Sequence, residues 1–214
     1  RYQLRTEADG TTRLTVVADS DFINAADRVF PVTVDPQIVL SGYGPITSFG
    51  WNGGGMSSTE SVHTICGIGG TPSRKANRLY LNLADISVPA NANIRQATLT
   101  LHQLQGQANP GTSPLLGLYK ASGSVTAAMT SDPNPTKDPV DYVRIKDGMA
   151  VYTFDVTRLI SAAVRCGTMP CLALKLLDEK TAGTTNIGIA GTICAATRVP
   201  KLTVQYETDY SVEP

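Results

Sequence analysis

Histidine is the side chain whose ordinary pKa suits acid and base chemistry near neutral pH, and this sequence contains two. His102 continues the alternation of Thr98 and Thr100, which predicts an ordinary outward-facing strand residue. His63 lies in a Gly- and Ser-rich stretch, where we predict a solvated loop histidine, with a place in a binding pocket as the alternative. Neither histidine lies in a recognisable nucleophile motif, so no Ser-His enzyme is predicted.

Carboxylates are the second set of chemically capable side chains. A pair of them can hydrolyse glycosidic bonds, and carboxylates in loops also bind Ca²⁺. No EF-hand spacing is present, so a structural Ca²⁺ ion is left open without assigned ligands, and no other cofactor is expected. We predict that the protein is not an enzyme, with a polysaccharide-active enzyme as the third of three functions considered. By residue type, the candidate acids are Asp132, Asp138, Asp141, Asp178 and Glu179.

The four cysteines form an even set, which allows three pairings. Cys166 and Cys171 flank a tight turn that could close on itself, which leaves Cys66 to pair with Cys194. We therefore predict two disulfides and, with the abundance of Thr, Ser, Gly and Asn, an extracellular protein. A zinc site is the competing interpretation, and the absence of CxxC spacing disfavours it.

Aromatic residues lie in a Gly-rich stretch between Ser41 and Gly70, which we interpret as a long loop insertion. Flat aromatic faces stack on sugar rings, and Trp51 is the only tryptophan in the chain. The alternative is that this loop folds back and plugs one end of the domain, pinned by Cys66. The candidate ligand-binding residues are Trp51, Tyr43, Phe49 and His63.

Composition excludes several classes of partner. The chain has 214 residues, with 18 Lys and Arg balanced by 18 Asp and Glu, so it lacks the basic surface that nucleic acid requires. Apolar runs such as Leu172–Leu177 are far shorter than the roughly 20 residues that cross a bilayer. With 42% hydrophobic residues the chain can form a core. Its start at Arg1 suggests a piece of a longer exported protein.

Period-2 alternation is the dominant pattern and predicts half-buried strands. One segment instead has the helical spacing of Val156, Leu159, Ile160, Ala163 and Val164, between Asp155 and Gly167, which predicts a short capping helix. The predicted class is therefore all-β: a jelly-roll-like antiparallel β-sandwich with one short helix. The principal predicted strands are Arg78–Leu83, Ala97–Leu101, Val151–Phe154, Leu172–Leu177 and Leu202–Tyr206.

The N-terminal part is predicted to be a small lead-in unit. It contains candidate strands at Tyr2–Thr6, Thr12–Ala18 and Val29–Val34, and a helical turn at Ser20–Ala25. Asp35-Pro36 marks the predicted boundary. The domain organisation is then a lead-in at residues 1–36, a β-sandwich at 37–207 and a tail or linker at 208–214.

Several segments together resemble a known family. Arg28–Pro36 resembles the R-x-F-P-V-x-V-D-P lead-in of large bacterial surface proteins with RHS or YD repeats. The later segments resemble, in order, conserved-looking segments of a DNRLRE-type domain. They are Asn77–Leu83, Ile86–Pro89, Ala92–Leu101, Phe154–Ile160 and Val199–Tyr206.

This resemblance implies a secreted or cell-surface β-sandwich from a family that includes carbohydrate-binding modules. The first expected function is a non-catalytic carbohydrate-binding or adhesion module, with polysaccharide or cell-wall glycan as its partner. The alternative is a structural module of an RHS-like surface or toxin-delivery protein, which contacts neighbouring domains and no small ligand. The sequence departs from the family at Thr130–Pro139, where a Pro-rich loop replaces a Trp-containing segment.

Overall fold

A computed structural model describes residues 2–6, 12–16, 20–26, 38–42, 46–66, 76–84, 88–90, 92–107, 114–180 and 185–207. Internal contacts divide the chain into two units, Arg1–Ile38 and Val39–Pro214.

The first unit contains a two-stranded hairpin and one helical turn. Strands β1 (Tyr2–Thr6) and β2 (Thr12–Val16) pair antiparallel, and α1 spans Ser20–Ile23. These elements were all predicted from alternation and capping residues. The third predicted strand, Val29–Val34, and the Asp35-Pro36 boundary lie outside the described residues.

The second unit is a sandwich of two antiparallel sheets, so the predicted all-β class is confirmed. The first sheet has the order β10-β9-β12-β7-β4-β5, and the second has the order β3-β14-β8-β13-β6, with β11 also paired to β8. In chain order, the elements are β3 (Ile38–Gly42), β4 (Ile46–Trp51), β5 (Met56–Ser57), β6 (Val62–Cys66), β7 (Arg78–Leu83), β8 (Asn93–Gln107), β9 (Leu115–Ala121), β10 (Asp141–Arg144), β11 (Ala150–Asp155), α2 (Thr157–Cys166), β12 (Cys171–Leu176), β13 (Asn186–Ala190) and β14 (Lys201–Glu207).

Alternation along β7 shows how the first sheet divides its two faces. Leu79, Leu81 and Leu83 are buried on the face that packs against the second sheet, where Leu99 is also fully buried. Tyr80 lies between these leucines in sequence and therefore faces the opposite side of the sheet. Tyr80 is fully buried as well, so β7 has buried residues on both faces.

The described part of residues 41–70 is not a loop, contrary to our prediction. It contains β4 and β6, which belong to different sheets, and the short β5. The prediction was wrong because Ser48 and Gly50 occupy the core-facing positions of β4, so the strand lacks the apolar alternation that marks the others.

Strands β13 and β14 lie one after the other along the same edge of β8. Residues 98–100 of β8 pair with both β11 and β14, and Gln103 pairs with both β11 and β13. A strand has only two edges, so β13 and β14 share the edge opposite β11. The chain leaves this edge between them, at residues 191–200, and this excursion reaches the first sheet.

Helix α2 confirms the prediction from helical spacing. Its buried residues are Ile160, Ala163 and Val164. Asp155 accepts hydrogen bonds from the hydroxyl and from the backbone N–H of Thr157, and these two bonds lower the pKa of Asp155. Gly167, at a φ of 65°, ends the helix in the left-handed conformation that glycine adopts without strain. No helix in the described ranges is long and apolar enough to span a membrane.

Candidate functional site

Two of the candidate aromatic residues, Phe49 and Trp51, lie on the outer face of the first sheet. Phe49 is opposite Tyr80, Tyr80 is opposite Ala173, and Ala173 is opposite Tyr119. These side chains form a row across four strands, with neighbours about 4.8 Å apart along the hydrogen-bonding direction. Trp51 lies two residues beyond Phe49 on the same face and belongs to the same buried cluster. We call these residues the aromatic row: Phe49, Trp51, Tyr80 and Tyr119.

Residues 122–140, which we call the cover segment, place Val125 and Met129 against this row. Val125 is almost completely buried in the cluster, and its backbone makes two hydrogen bonds to the Asn82 side chain, of 2.6 and 3.0 Å. In the same cluster, Trp51 is only 8% exposed and Phe49 only 7%. Neither presents a face on which a sugar ring could stack. Tyr43 lies outside the described residues.

An ion cluster fixes the cover segment to the sheet. Arg78 on β7 donates to both carboxylate oxygens of Glu179, at 2.7 and 2.6 Å, and also pairs with Asp132 of the cover segment. The Tyr80 hydroxyl donates to the other oxygen of Asp132. The cover segment is therefore attached by charge, by hydrogen bonds and by the packing of Val125.

The charges in this cluster are mutually satisfied. Burial alone would lower the pKa of the Arg78 guanidinium, but Glu179 and Asp132 outweigh it, so this pKa is raised and the group stays cationic. Burial, reinforced by Asp132, raises the pKa of Tyr80, which stays neutral and donates its proton. Asp132 and Glu179 thus face a shared guanidinium rather than an open cleft, which is the arrangement of a structural ion pair rather than of a glycosidase.

The other candidate acids do not join this pair. Asp138 is exposed, and Asp141 accepts hydrogen bonds from the backbone N–H groups of Tyr142 and Asp155. Asp178 accepts one from the backbone of Lys180. The structure therefore brings together only two of the five predicted acids.

His63 is not a solvated loop residue, contrary to our prediction. It lies on β6, is completely buried, and its Nε2 is 3.0 Å from the Ser48 hydroxyl of β4 in the opposite sheet. The Ser48 oxygen also accepts the backbone N–H of Thr192 at 2.9 Å and contacts the Thr192 hydroxyl at 3.0 Å. This cluster, His63, Ser48 and Thr192, joins both sheets to the 191–200 excursion.

Two glycines and one carboxylate complete the surroundings of the His63 ring. A Cβ atom at Gly50 would approach Nδ1 to 2.7 Å, and one at Gly191 would approach Nε2 to 2.7 Å. Glu60, whose side chain is half exposed, lies 3.7 Å from Nδ1, which makes no hydrogen bond. The ring therefore fits only because both neighbouring backbones lack side chains.

Ser48, His63 and Glu60 have the order of contacts of a hydrolytic triad. A nucleophile must nevertheless reach its substrate, and Ser48 is 1% exposed while His63 is fully buried. Thr192 also contacts the Ser48 hydroxyl twice, through its backbone N–H and through its own hydroxyl. The arrangement can satisfy buried polar groups between two sheets, but it offers no surface for catalysis.

The free energy of unfolding is expected to fall as the pH drops below about 6.5. Burial lowers the pKa of His63 below its ordinary 6.5, and the charge of Glu60 opposes this only in part. Just below pH 6.5, His63 is therefore protonated in the unfolded chain but still neutral in the folded chain. The contribution of neutral His63 to the free energy of unfolding is complete above pH 6.5. As the pH falls from 6.5 to the lowered pKa, this contribution decreases by about 1.4 kcal/mol per pH unit. Denaturant unfolding at a series of pH values measures it.

His63→Gln should abolish this part of the pH dependence, because an amide does not titrate. His102 is the matched control, since it is the other histidine and lies half-buried on the outer face of β8. His102→Gln should keep the loss of stability at low pH. An unchanged slope in His63→Gln would show that another group is responsible.

The four cysteines are free thiols in the described residues, so the two predicted disulfides are absent. Cys66 pairs with Asn186 at one end of the β6–β13 ladder, whereas Val62 pairs with Ala190 at the other end, about 13 Å away. Cys194 follows Ala190 in the chain and therefore lies near the end of the ladder that is far from Cys66. A disulfide needs Cα atoms within about 7 Å, so these two cysteines cannot be bridged.

The second predicted pair is separated by orientation. Cys171 begins β12 and is buried in the cluster of the aromatic row, where burial raises the pKa of its thiol to about 11. Cys166 ends α2 and is exposed. The turn between them therefore sends one thiol into the core and the other toward solvent.

Among the described residues, no group of three or more His, Cys, Asp or Glu side chains is arranged to hold a metal ion. No protein-family model matches the chain, and no curated protein is similar to it. The resemblance to DNRLRE-type domains therefore stays a prediction carried by the sequence motifs.

Proposed function

We propose that this chain is a non-catalytic structural module that connects neighbouring domains of a larger protein. The observation that carries this proposal is the burial of Trp51 and Phe49 under the cover segment. A carbohydrate-binding module needs exposed aromatic faces, whereas a connecting module needs a closed and stable sandwich.

The polar clusters support the same function. Arg78 is saturated by Asp132 and Glu179, and Ser48 is saturated by His63 and Thr192. Each of these contacts joins segments that are distant in sequence, and none leaves a reactive group facing a cleft. Their common effect is to hold strands and connections in fixed positions.

The resemblance to RHS-associated surface proteins supports a cell-surface or secreted location within such a parent chain. The cysteines add no support, because the argument for an oxidising compartment required the disulfides that the structure lacks. The location is therefore proposed on the motifs alone.

A carbohydrate-binding or adhesion function is the second candidate. The observation that favours it is the aromatic row, because four aromatic side chains on one face of a sheet form a platform that sugars could contact. This function would require the cover segment to leave the row, and its attachment through Asp132 and Val125 opposes that movement.

The fluorescence of Trp51 distinguishes the two functions, because it is the only tryptophan. We expect a blue-shifted emission that acrylamide quenches weakly and that soluble polysaccharides leave unchanged. The protein should also not be retained by insoluble cell-wall polysaccharide. Asp132→Asn, which weakens the attachment of the cover segment, is tested alongside the parent protein.

Saturable retention on polysaccharide, together with a change in Trp51 emission, would overturn the structural function in favour of the carbohydrate-binding one. Stronger retention in Asp132→Asn would then place the sugar on the aromatic row. Saturable retention without a change in emission would also contradict a purely structural module, and it would place the binding surface elsewhere.

A further inference from the structure

The turn between β4 and β5 consists of an asparagine followed by three glycines, Asn52-Gly53-Gly54-Gly55. Asn52 is exposed, and its Oδ1 atom accepts the backbone N–H of Gly54 at 3.1 Å and that of Gly55 at 3.2 Å. The backbone N–H of Asn52 donates to the carbonyl of Gly55 at 3.4 Å, which closes the turn. The side-chain carbonyl of Asn52 is therefore polarised by two backbone donors at the protein surface.

We propose that Asn52 is a site of spontaneous covalent modification, at which the folded chain converts this asparagine to aspartate and isoaspartate through a cyclic imide. The backbone nitrogen of Gly53 attacks the side-chain carbonyl carbon of Asn52. A carbon–nitrogen bond forms, Gly53 loses its N–H proton, and the amide nitrogen of Asn52 takes up a proton and leaves as ammonia. One water molecule then opens the ring at either of its two carbonyls. The net reaction is the hydrolysis of one amide, and it consumes only water.

The two donors on Oδ1 of Asn52 act where charge develops during this reaction. In the tetrahedral intermediate this oxygen carries a negative charge, and preorganised backbone N–H groups stabilise such an oxyanion. Gly54 and Gly55 already hold their N–H groups at this oxygen in the folded protein. In the unfolded chain only water takes their place, so the turn contributes a stabilisation that the sequence alone does not provide.

Gly53 meets the requirements of the attacking residue. It has no side chain to obstruct ring closure, and its φ of 82° lies in the left-handed region that glycine adopts without strain. Gly53 is buried, and its N–H makes no hydrogen bond to the described residues, so removal of this proton costs the fold no contact. A Cβ atom at Gly55 would meet no atom within 4 Å, which leaves the turn space to rearrange.

Two asparagines on strands provide internal comparisons. Asn82 uses both the nitrogen and the oxygen of its side-chain amide to bind the backbone of Val125, and it is followed by Leu83. Asn186 begins β13 within the ladder to β6, and it is followed by the β-branched Ile187. Both are held in a ladder and precede a bulky residue, so neither has the arrangement of the turn.

The two products differ in their effect on the turn. Aspartate keeps an oxygen that can accept the N–H groups of Gly54 and Gly55, whereas isoaspartate places one additional carbon in the backbone. This carbon is added directly after Trp51, which pairs with Met56 at the end of the β4–β5 ladder. Isoaspartate at position 52 is therefore expected to weaken this ladder beside the aromatic row.

Incubation of the folded protein at mildly alkaline pH, followed by proteolysis at acidic pH and peptide mass spectrometry, tests the site. We expect the peptide that contains Asn52 to gain one mass unit and to separate into aspartate and isoaspartate forms. The same incubation of protein unfolded in guanidinium chloride gives the reference rates. Asn52 should react at least as fast in the folded protein as in the unfolded one. Asn82 and Asn186 should react at least about tenfold more slowly when folded, because ring closure within a strand requires local opening.

Gly53→Ala is the decisive variant, because its methyl group obstructs the attacking nitrogen. It should slow the conversion of Asn52 by about tenfold or more, since small displacements of reacting atoms have effects of this size. Gly54→Ala is the matched control. It adds the same methyl group one residue later, where φ is not left-handed and the new Cβ would lie 3.7 Å from Oδ1 of Asn52, and it keeps the N–H donor. Its rate should equal that of the parent protein.

The proposal is overturned if folding protects Asn52 about as strongly as it protects Asn82 and Asn186. It is also overturned if Gly53→Ala and Gly54→Ala slow the conversion equally, because Gly53 would then have no special part in it. Circular dichroism confirms that each variant is folded. If Gly53→Ala does not fold, the folded and unfolded rates of the three asparagines in the parent protein decide the question.

Discussion

Replacing Arg78 by methionine is expected to lower the free energy of unfolding by about 3 kcal/mol, the lower end of the cost of removing one partner from a buried ion pair. The side chain of Arg78 is 18% exposed, and those of Asp132 and Glu179 are 24% and 14% exposed. Without the guanidinium, two nearby carboxylates lose their common partner and repel each other. Denaturant unfolding at neutral pH, followed by circular dichroism, measures the difference.

Arg95→Met is the matched control, because Arg95 also lies on a strand and pairs with one carboxylate, that of Glu207. Its side chain is 59% exposed, so the expected loss is below about 1 kcal/mol. Arg78→Lys keeps the charge but loses the paired hydrogen bonds to Glu179, and should lie between the two. Equal losses in Arg78→Met and Arg95→Met would show that the cluster does not hold the cover segment.

This cluster also illustrates what sequence patterns cannot supply. Arg78 is 101 residues from Glu179 and 54 from Asp132, and all three residue types are common on surfaces. The sequence proposed both acids as candidates by type, but it carried no information on their separation or on the arginine between them. Such contacts depend on the order of strands in the sheet, which alternation does not determine.

Elements with a continuous apolar period were predictable for a clear physical reason. Leu79, Leu81 and Leu83 repeat every two residues because one face of β7 is buried in the core, and the residues of α2 repeat every three or four for the same reason. Their positions and types follow from local pattern alone. The all-β class could therefore be predicted without knowledge of the topology.

The region of β4 to β6 could not be predicted in this way. Ser48 and His63 face the core and satisfy each other between the two sheets, so each strand appears polar when it is considered alone. The alternation of His63 with Ile65 was the available indication that this histidine lies on a strand. Its partner, however, lies on the opposite sheet, and no pattern within β6 identifies it.

Replacing Trp51 by alanine is expected to lower the free energy of unfolding by about 3–5 kcal/mol, the usual cost of removing a large aromatic side chain from a core. Trp51 packs in the cluster with Tyr80, Tyr119 and Val125, so its removal leaves a cavity beneath the cover segment. Urea unfolding followed by circular dichroism measures this loss, since the variant has no tryptophan fluorescence.

Tyr142→Ala is the matched control, because Tyr142 is a large aromatic residue on a strand of the same sheet but is 56% exposed. Its expected effect is within about 0.5 kcal/mol, as for other surface substitutions. If Trp51→Ala lowered the free energy of unfolding as little as Tyr142→Ala, Trp51 would be accessible to solvent, as sugar stacking requires. A large loss for Trp51 alone would mean that the residue serves packing, because one indole ring cannot both fill the cluster under the cover segment and offer its face to a ligand.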